Sequence, residues 1–216
     1  MNGKKTLVFV AVALLCVGMS AFAMSVSYTG GGNGELTYSD LTTQLAEGSL
    51  VALGDFGTMN DAQIAALGAN PTAVWAHFSE WDMTAIDSTL TFTSAATTAG
   101  GTFLNQHAYL VAFDAGTFSS ALGVGVFKGP NSAGTNGDPW IFPNTDTANG
   151  LGLDLGDVHS IGVIIGEYGD QTLNSDWAGG IVDAYGLAYP AVPEPSTMML
   201  VASGLLGLLV ARRRRS

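Results

Sequence analysis

Between residues 6 and 211 this chain carries one lysine, Lys128, and no arginine. The other basic residues stand at the ends: Lys4 and Lys5, then Arg212 to Arg215. All 18 acidic residues fall between Glu35 and Glu194, so residues 24–194 set 18 acids against one base, a net formal charge of −17. A body built this way has almost no salt bridges to make. It must hold together by packing, by hydrogen bonds or by bound cations, and self-repulsion works against its compact state. It lacks the basic surface that nucleic-acid binding requires, and an anionic leaflet repels it. The partners left to it are cations, neutral polymers such as sugars, and other proteins. Bound Ca²⁺ would relieve the repulsion.

The two ends are apolar as well as basic. Lys4 and Lys5 precede an apolar run from Leu7 to Val17, and Ala21-Phe22-Ala23 forms a small-x-small site. That is the pattern of a secretory signal peptide, residues 1–23, cleaved before Met24. Cys16 is the only cysteine. Lipoprotein processing needs a small residue before it, and Leu15 stands there, so Cys16 leaves with the leader. The mature body is then expected to be free of thiol chemistry and disulfides.

The other end, residues 190–216, has three pieces in fixed order. Pro193-Glu194-Pro195 locks two φ angles around one carboxylate, a short stiff segment. An apolar run from Met198 to Ala211 follows, interrupted by Ser203, Gly204 and Gly207. Arg212, Arg213, Arg214 and Arg215 close it. As a helix, residues 197–211 would span roughly 22 Å, against a hydrocarbon core of about 30 Å. That transmembrane helix is short, and suffices if the bilayer thins and the arginines snorkel, anchored on the cytoplasmic side. Pro-Glu-Pro, a short apolar helix and terminal arginines together resemble the PEP-CTERM sorting signal of exported bacterial proteins. The resemblance implies recognition of Pro193, Glu194 and Pro195 by an exosortase, cleavage nearby, and release or re-anchoring of the body at the cell surface after a transient stage in the inner membrane. The plainer alternative is a C-terminal tail anchor behind a proline-rich linker.

The body, residues 24–189, reads as one domain. Short β-branched and aromatic runs separated by Gly, Asn, Asp and Thr clusters predict strands at 49–56, 88–93, 108–113, 122–127, 158–165 and 181–189, with a short start at 26–28. Thr58 to Leu67 reads as a helix that Thr58 or Asn60 can cap, and Thr72 to Trp81 as a second helix or turn, with Val74, Trp75, Phe78 and Trp81 on one face. The polar stretch 129–157 predicts a surface excursion. The fold expected is mainly β: an antiparallel β-sandwich with one or two short helices over an edge or open end. The body also resembles other PEP-CTERM proteins in its strand-end Gly54-Asp55-Phe56-Gly57-Thr58 and in Trp140-Ile141-Phe142-Pro143. The bodies of those proteins are mostly of unknown function, so this carries no active site across.

Catalytic signals are thin. His77, His107 and His159 are far apart and without zinc spacing, and the lack of bases argues against phosphoryl transfer. Glu80 and Asp82, flanking Trp81 near His77, are the best pair for a glycan hydrolase; on a strand they would share a face. The commoner reading is a solvated acidic patch beside core aromatics. Asp170-x-Thr172-x-Asn174-x-Asp176 alternates oxygen ligands like the opening of a calcium loop, but lacks that loop's glycine and final glutamate; ordinary turn chemistry accounts for it too. Trp140 and Trp177 lie in polar stretches and could stack on a sugar, giving a lectin-like module; burial, pinning a loop to the core, is the favoured reading. The function expected is therefore a non-enzymatic, exported surface or matrix protein associated with exopolysaccharide or biofilm. Carbohydrate binding and, behind it, glycan hydrolysis are the alternatives.

Overall fold

The computed structural model describes residues 24–31, 34–98, 101–129, 140–144, 151–171 and 182–191. Residues 1–23, expected to be a signal peptide, the tail from residue 192, Trp177 and the calcium-like residues Thr172, Asn174 and Asp176 lie outside them.

The described chain is mainly β. Its centre is a five-stranded antiparallel sheet: β3 (Leu50–Asp55), β4 (Ser79–Ala85), β6 (Tyr109–Phe113), β7 (Val124–Lys128) and β9 (Val163–Ile165), in the order β4-β3-β6-β7-β9. The residues of β6 and β7 are buried throughout. Continuous burial means that both faces of this sheet are covered. Alternation along the strands divides the contacts between two cores. Ala52, Tyr109, Val111, Phe113, Val124, Val126 and Ile165 face one side, where they meet Ile64 of α1 (Asp61–Ala65) and Val74 of α2 (Pro71–His77). Val51, Leu53, Leu110, Ala112 and Phe127 face the other.

That second face is covered by two small mixed sheets. In one, β1 (Met24–Gly30) pairs antiparallel with β5 (Phe92–Thr98) and parallel with β8 (Leu151–Asp154). In the other, β11 (Val182–Gly186) pairs antiparallel with β10 (Glu167–Gln171) and parallel with β2 (Gly34–Thr37). Met24, Val26 and Tyr28 alternate inward from β1, and Tyr185 of β11 meets Phe127 edge-on with ring centroids 5.6 Å apart.

The helical expectation holds for α1 and needs correction for α2. Asn60 and Gln63 form a reciprocal capping box that starts α1. In α2, Pro71 at the first turn and the Asn70 cap set the start, but the helix stops at His77. After Phe78, six of the seven residues of β4 pair with β3, and Trp81 sits on that strand at its bulge. Cross-strand pairing thus overrides a helical apolar spacing. The helices also pack on a sheet face instead of an edge.

The strand expected at 88–93 is a turn up to Thr91. The Asp87 carboxylate accepts the Thr89 hydroxyl at 2.6 Å and the backbone N–H groups of Thr89 and Thr91, which competes with strand pairing. The excursion expected at 129–157 is not confined to the surface: β8 lies beside β1, and Trp140 and Phe142 are core residues. Within 158–165, one 3-10 turn, Ser160–Gly162, precedes a strand of three residues.

Candidate functional site

Lys128 holds the most unusual position in the body. Parity along β7 places Val124, Val126 and Lys128 on the helix-side face, and Lys128 stands directly opposite Tyr109 of β6. It is 5% exposed. Its ammonium pairs with Asp61, fixed in the first turn of α1 by the capping box. The Tyr109 hydroxyl donates to the other carboxylate oxygen of Asp61 at 3.3 Å. Burial, with the Asp61 charge second, pushes the Tyr109 phenol up, so the proton stays on it. Sequence counting registers Lys128 only as a lone base. The signal that places it inside is the parity Val124-x-Val126-x-Lys128 on an otherwise apolar run.

With Lys128 inside, no lysine or arginine is exposed among the described residues, whereas Asp40, Glu47, Glu80, Asp87 and Glu167 are. The described surface is anionic without relief from any fixed cation.

The glycosidase pair does not assemble. A β-bulge shifts the β3–β4 register, so that Leu53 pairs with Asp82 while the next residue, Gly54, pairs with Glu80. Directly paired residues share a face, and consecutive residues of β3 do not. Glu80 and Asp82 therefore lie on opposite faces of the sheet. Asp82 is spent on accepting the Ser94 hydroxyl at 2.6 Å, and Trp81 is buried between Phe103 and Phe142. His77 turns its Nδ1 onto the Ala73 carbonyl oxygen, 3.0 Å away.

Trp140 is 4% exposed and belongs to the core, so its face is closed to a sugar. Its backbone carbonyl accepts from Ala108 and ties the segment to the start of β6. Asp170 belongs to β10, paired with Asp183. Among the described residues no group of three or more His, Cys, Asp or Glu side chains is arranged to hold a metal ion. A polar cluster that sequence reading missed joins β11 to the turn before β9. His159 Nδ1 lies 3.4 Å from Asp183, the His159 N–H donates to the Tyr185 hydroxyl at 3.0 Å, and Tyr168 donates to Asp183 at 2.9 Å. Only the fold brings these four together, from positions up to 26 residues apart.

Asp55, at the end of β3, gives a pH prediction. It is 4% exposed. Burial pushes its carboxyl up, partly offset by the Gly57 N–H it accepts. A carboxyl raised in the fold binds its proton more tightly folded than unfolded, so its contribution to stability falls as pH rises through that window. Asp40 and Asp87, held low chiefly by the hydroxyls of Thr43 and Thr89, act with the opposite sign. Asp55→Asn keeps the turn acceptor without the charge. It is expected to raise the melting temperature at neutral pH, with the gain shrinking on acidification; a gain that grows as pH falls would contradict the assignment.

Residues 191–215 match the family model of the PEP-CTERM protein-sorting motif. The chain ends in a PEP-CTERM sorting signal. Pro193, Glu194, Pro195 and Arg212 to Arg215 all fall inside the matched segment. The PEP-CTERM tail marks an exported protein processed by an exosortase and sorted to the cell surface. Neither the comparison with curated proteins nor that with solved structures finds a match to the chain. Among the described residues no helix is long and apolar enough to cross a membrane.

Proposed function

We propose that this PEP-CTERM protein is a non-enzymatic component of the cell surface or extracellular matrix, retained with exopolysaccharide in a biofilm. The observation that carries the reading is the pairing of a sorting tail with a body whose one base is buried and ion-paired. Such a body stays soluble and repels its own copies, other polyanions and anionic membrane. Neutral glycans and divalent cations remain as associates. The two carboxylates best suited to glycan hydrolysis stand on opposite sheet faces, which removes support from the enzymatic alternative. A lectin-like role would rest on Trp177, outside the described residues. The test is fractionation of the producing culture. The processed protein is expected with the extracellular polysaccharide, and that polysaccharide is expected to stay intact on incubation with it. Recovery entirely in polysaccharide-free medium, or glycan cleavage lost in Glu80→Gln, would contradict the proposal.

A further inference from the structure

The Lys128–Asp61–Tyr109 arrangement does more than hide a charge. We propose that Lys128 and Asp61 condense to an intramolecular amide in the folded protein, linking β7 covalently to the start of α1.

Four observations carry this. The nucleophile and the acyl group are already in contact, on elements that cannot easily part. β7 lies between β6 and β9 in the sheet, and Asp61 is held by the Asn60–Gln63 capping box. The two carboxylate oxygens are differentiated. Oδ2 faces the Lys128 Nζ, while Oδ1 accepts from the Tyr109 hydroxyl. Charge that builds on Oδ1 as Cγ is attacked therefore meets a fixed donor, the requirement for stabilising a tetrahedral intermediate. The amine end is dry: the Lys128 side chain is 7% exposed, on a face shared with Tyr109, Val126 and Ile165, and Phe56 packs edge-on against Tyr109 at 5.3 Å. The acid end is open: the Asp61 side chain is 44% exposed, which gives the released water a way out.

The step balances without a co-reactant. One proton passes from the ammonium to Oδ2, leaving amine and carboxylic acid. The Nζ lone pair attacks Cγ and forms the C–N bond. A second amine proton goes to Oδ2, the Cγ–Oδ2 bond breaks, and one water departs. Condensation is unfavourable between free solutes in water. Fixed groups in contact reach effective molarities of about 10⁵–10⁸ M, which lowers the barrier to the step, and joining two groups already held together removes the association entropy that counts against free solutes. The joined residues are 67 positions apart, a long loop to close in a body without cysteine. A cross-link over such a loop removes conformational freedom from the unfolded chain, as a disulfide does.

The test is mass spectrometry of the full-length protein, denatured and digested with chymotrypsin. The peptides holding Asp61 and Lys128 are expected as one branched species, lighter by one water than the two together. Trypsin is expected not to cut after Lys128 even in the denatured chain, because the amide removes the charge it recognises. Asp61→Asn is expected to give the same branched species with loss of ammonia instead of water. Two separate linear peptides at full mass, with tryptic cleavage after Lys128, would overturn the proposal. So would a loss of water that persists in Lys128→Ala, since that dehydration lies elsewhere. The wild-type masses decide by themselves, so the proposal stands or falls without a folded variant.

Discussion

Gly54→Val is expected to abolish folding of the body. A Cβ at position 54 would lie 2.0 Å from the Ser79 carbonyl oxygen and 2.7 Å from the Phe78 ring. The first contact is with backbone, in the bulge where Gly54 pairs with Glu80. Flexible side chains can yield by a rotamer change; a paired strand cannot. Forcing atoms into a packed interior costs about 1–3 kcal/mol in ordinary cases. Here the clash falls on the β3–β4 register itself, and a small domain has only about 5–15 kcal/mol in total. Gly57→Ala is the control. Gly57 has φ +57 and nothing within 4 Å of an added Cβ, so only the left-handed backbone is strained, at about 1–2 kcal/mol. Circular dichroism and denaturant melts of the two variants separate clash from strain. A Gly54→Val protein as stable as the Gly57→Ala protein would contradict the bulge assignment.

Replacing Pro193, Glu194 and Pro195 together by alanine is expected to stop processing while leaving the body folded. These three residues lie within the matched sorting motif and beyond the last described core contact, Tyr189. The body is expected to keep its stability without them, and the effect is on routing. The chain should accumulate at full length, still carrying Arg212 to Arg215, and the surface fraction should fall to background. Immunoblots of membrane, surface and medium fractions measure this. Normal surface levels of a trimmed triple-alanine variant would show that the motif is not what the sorting enzyme reads.

The sequence was most legible where one physical rule acted alone. The tail is read from order and charge without reference to the fold. The strands at 50–55, 109–113 and 124–128 and the Asn60 cap follow from apolar runs and local hydrogen bonding. It was least legible where a distant partner decides. β2 is four residues, Gly-Glu-Leu-Thr, with one apolar side chain; it becomes a strand because β11 lies parallel to it. Trp81 fits a helical face in sequence and a strand in the fold, because β3 pairs with Glu80 and Asp82 on either side of it. Glu80 and Asp82 share parity in the sequence and lose it through a single bulge that no local signal announces. Lys128 was half legible. Its parity points inward, but its partner Asp61 is 67 residues away and emerges only once α1 packs on the sheet.

The same geometry explains how a body with so few bases stays compact. Its one cation is placed inside, against a carboxylate, and two apolar cores carry the rest. Among the described residues the charges that reach the surface are acidic, beside a few exposed apolar side chains such as Leu122 and Ile161, on a chain whose tail carries the sorting motif.

Sorting through the tail is tested most directly by locating the mature protein and sequencing both its ends by mass spectrometry in cytosolic, membrane, surface and medium fractions. The predicted result is a chain starting at Met24 and ending near Pro193 to Pro195, found at the surface or in the medium. An untrimmed chain in the cytosol, with Lys4 and Arg215 still attached, would contradict it.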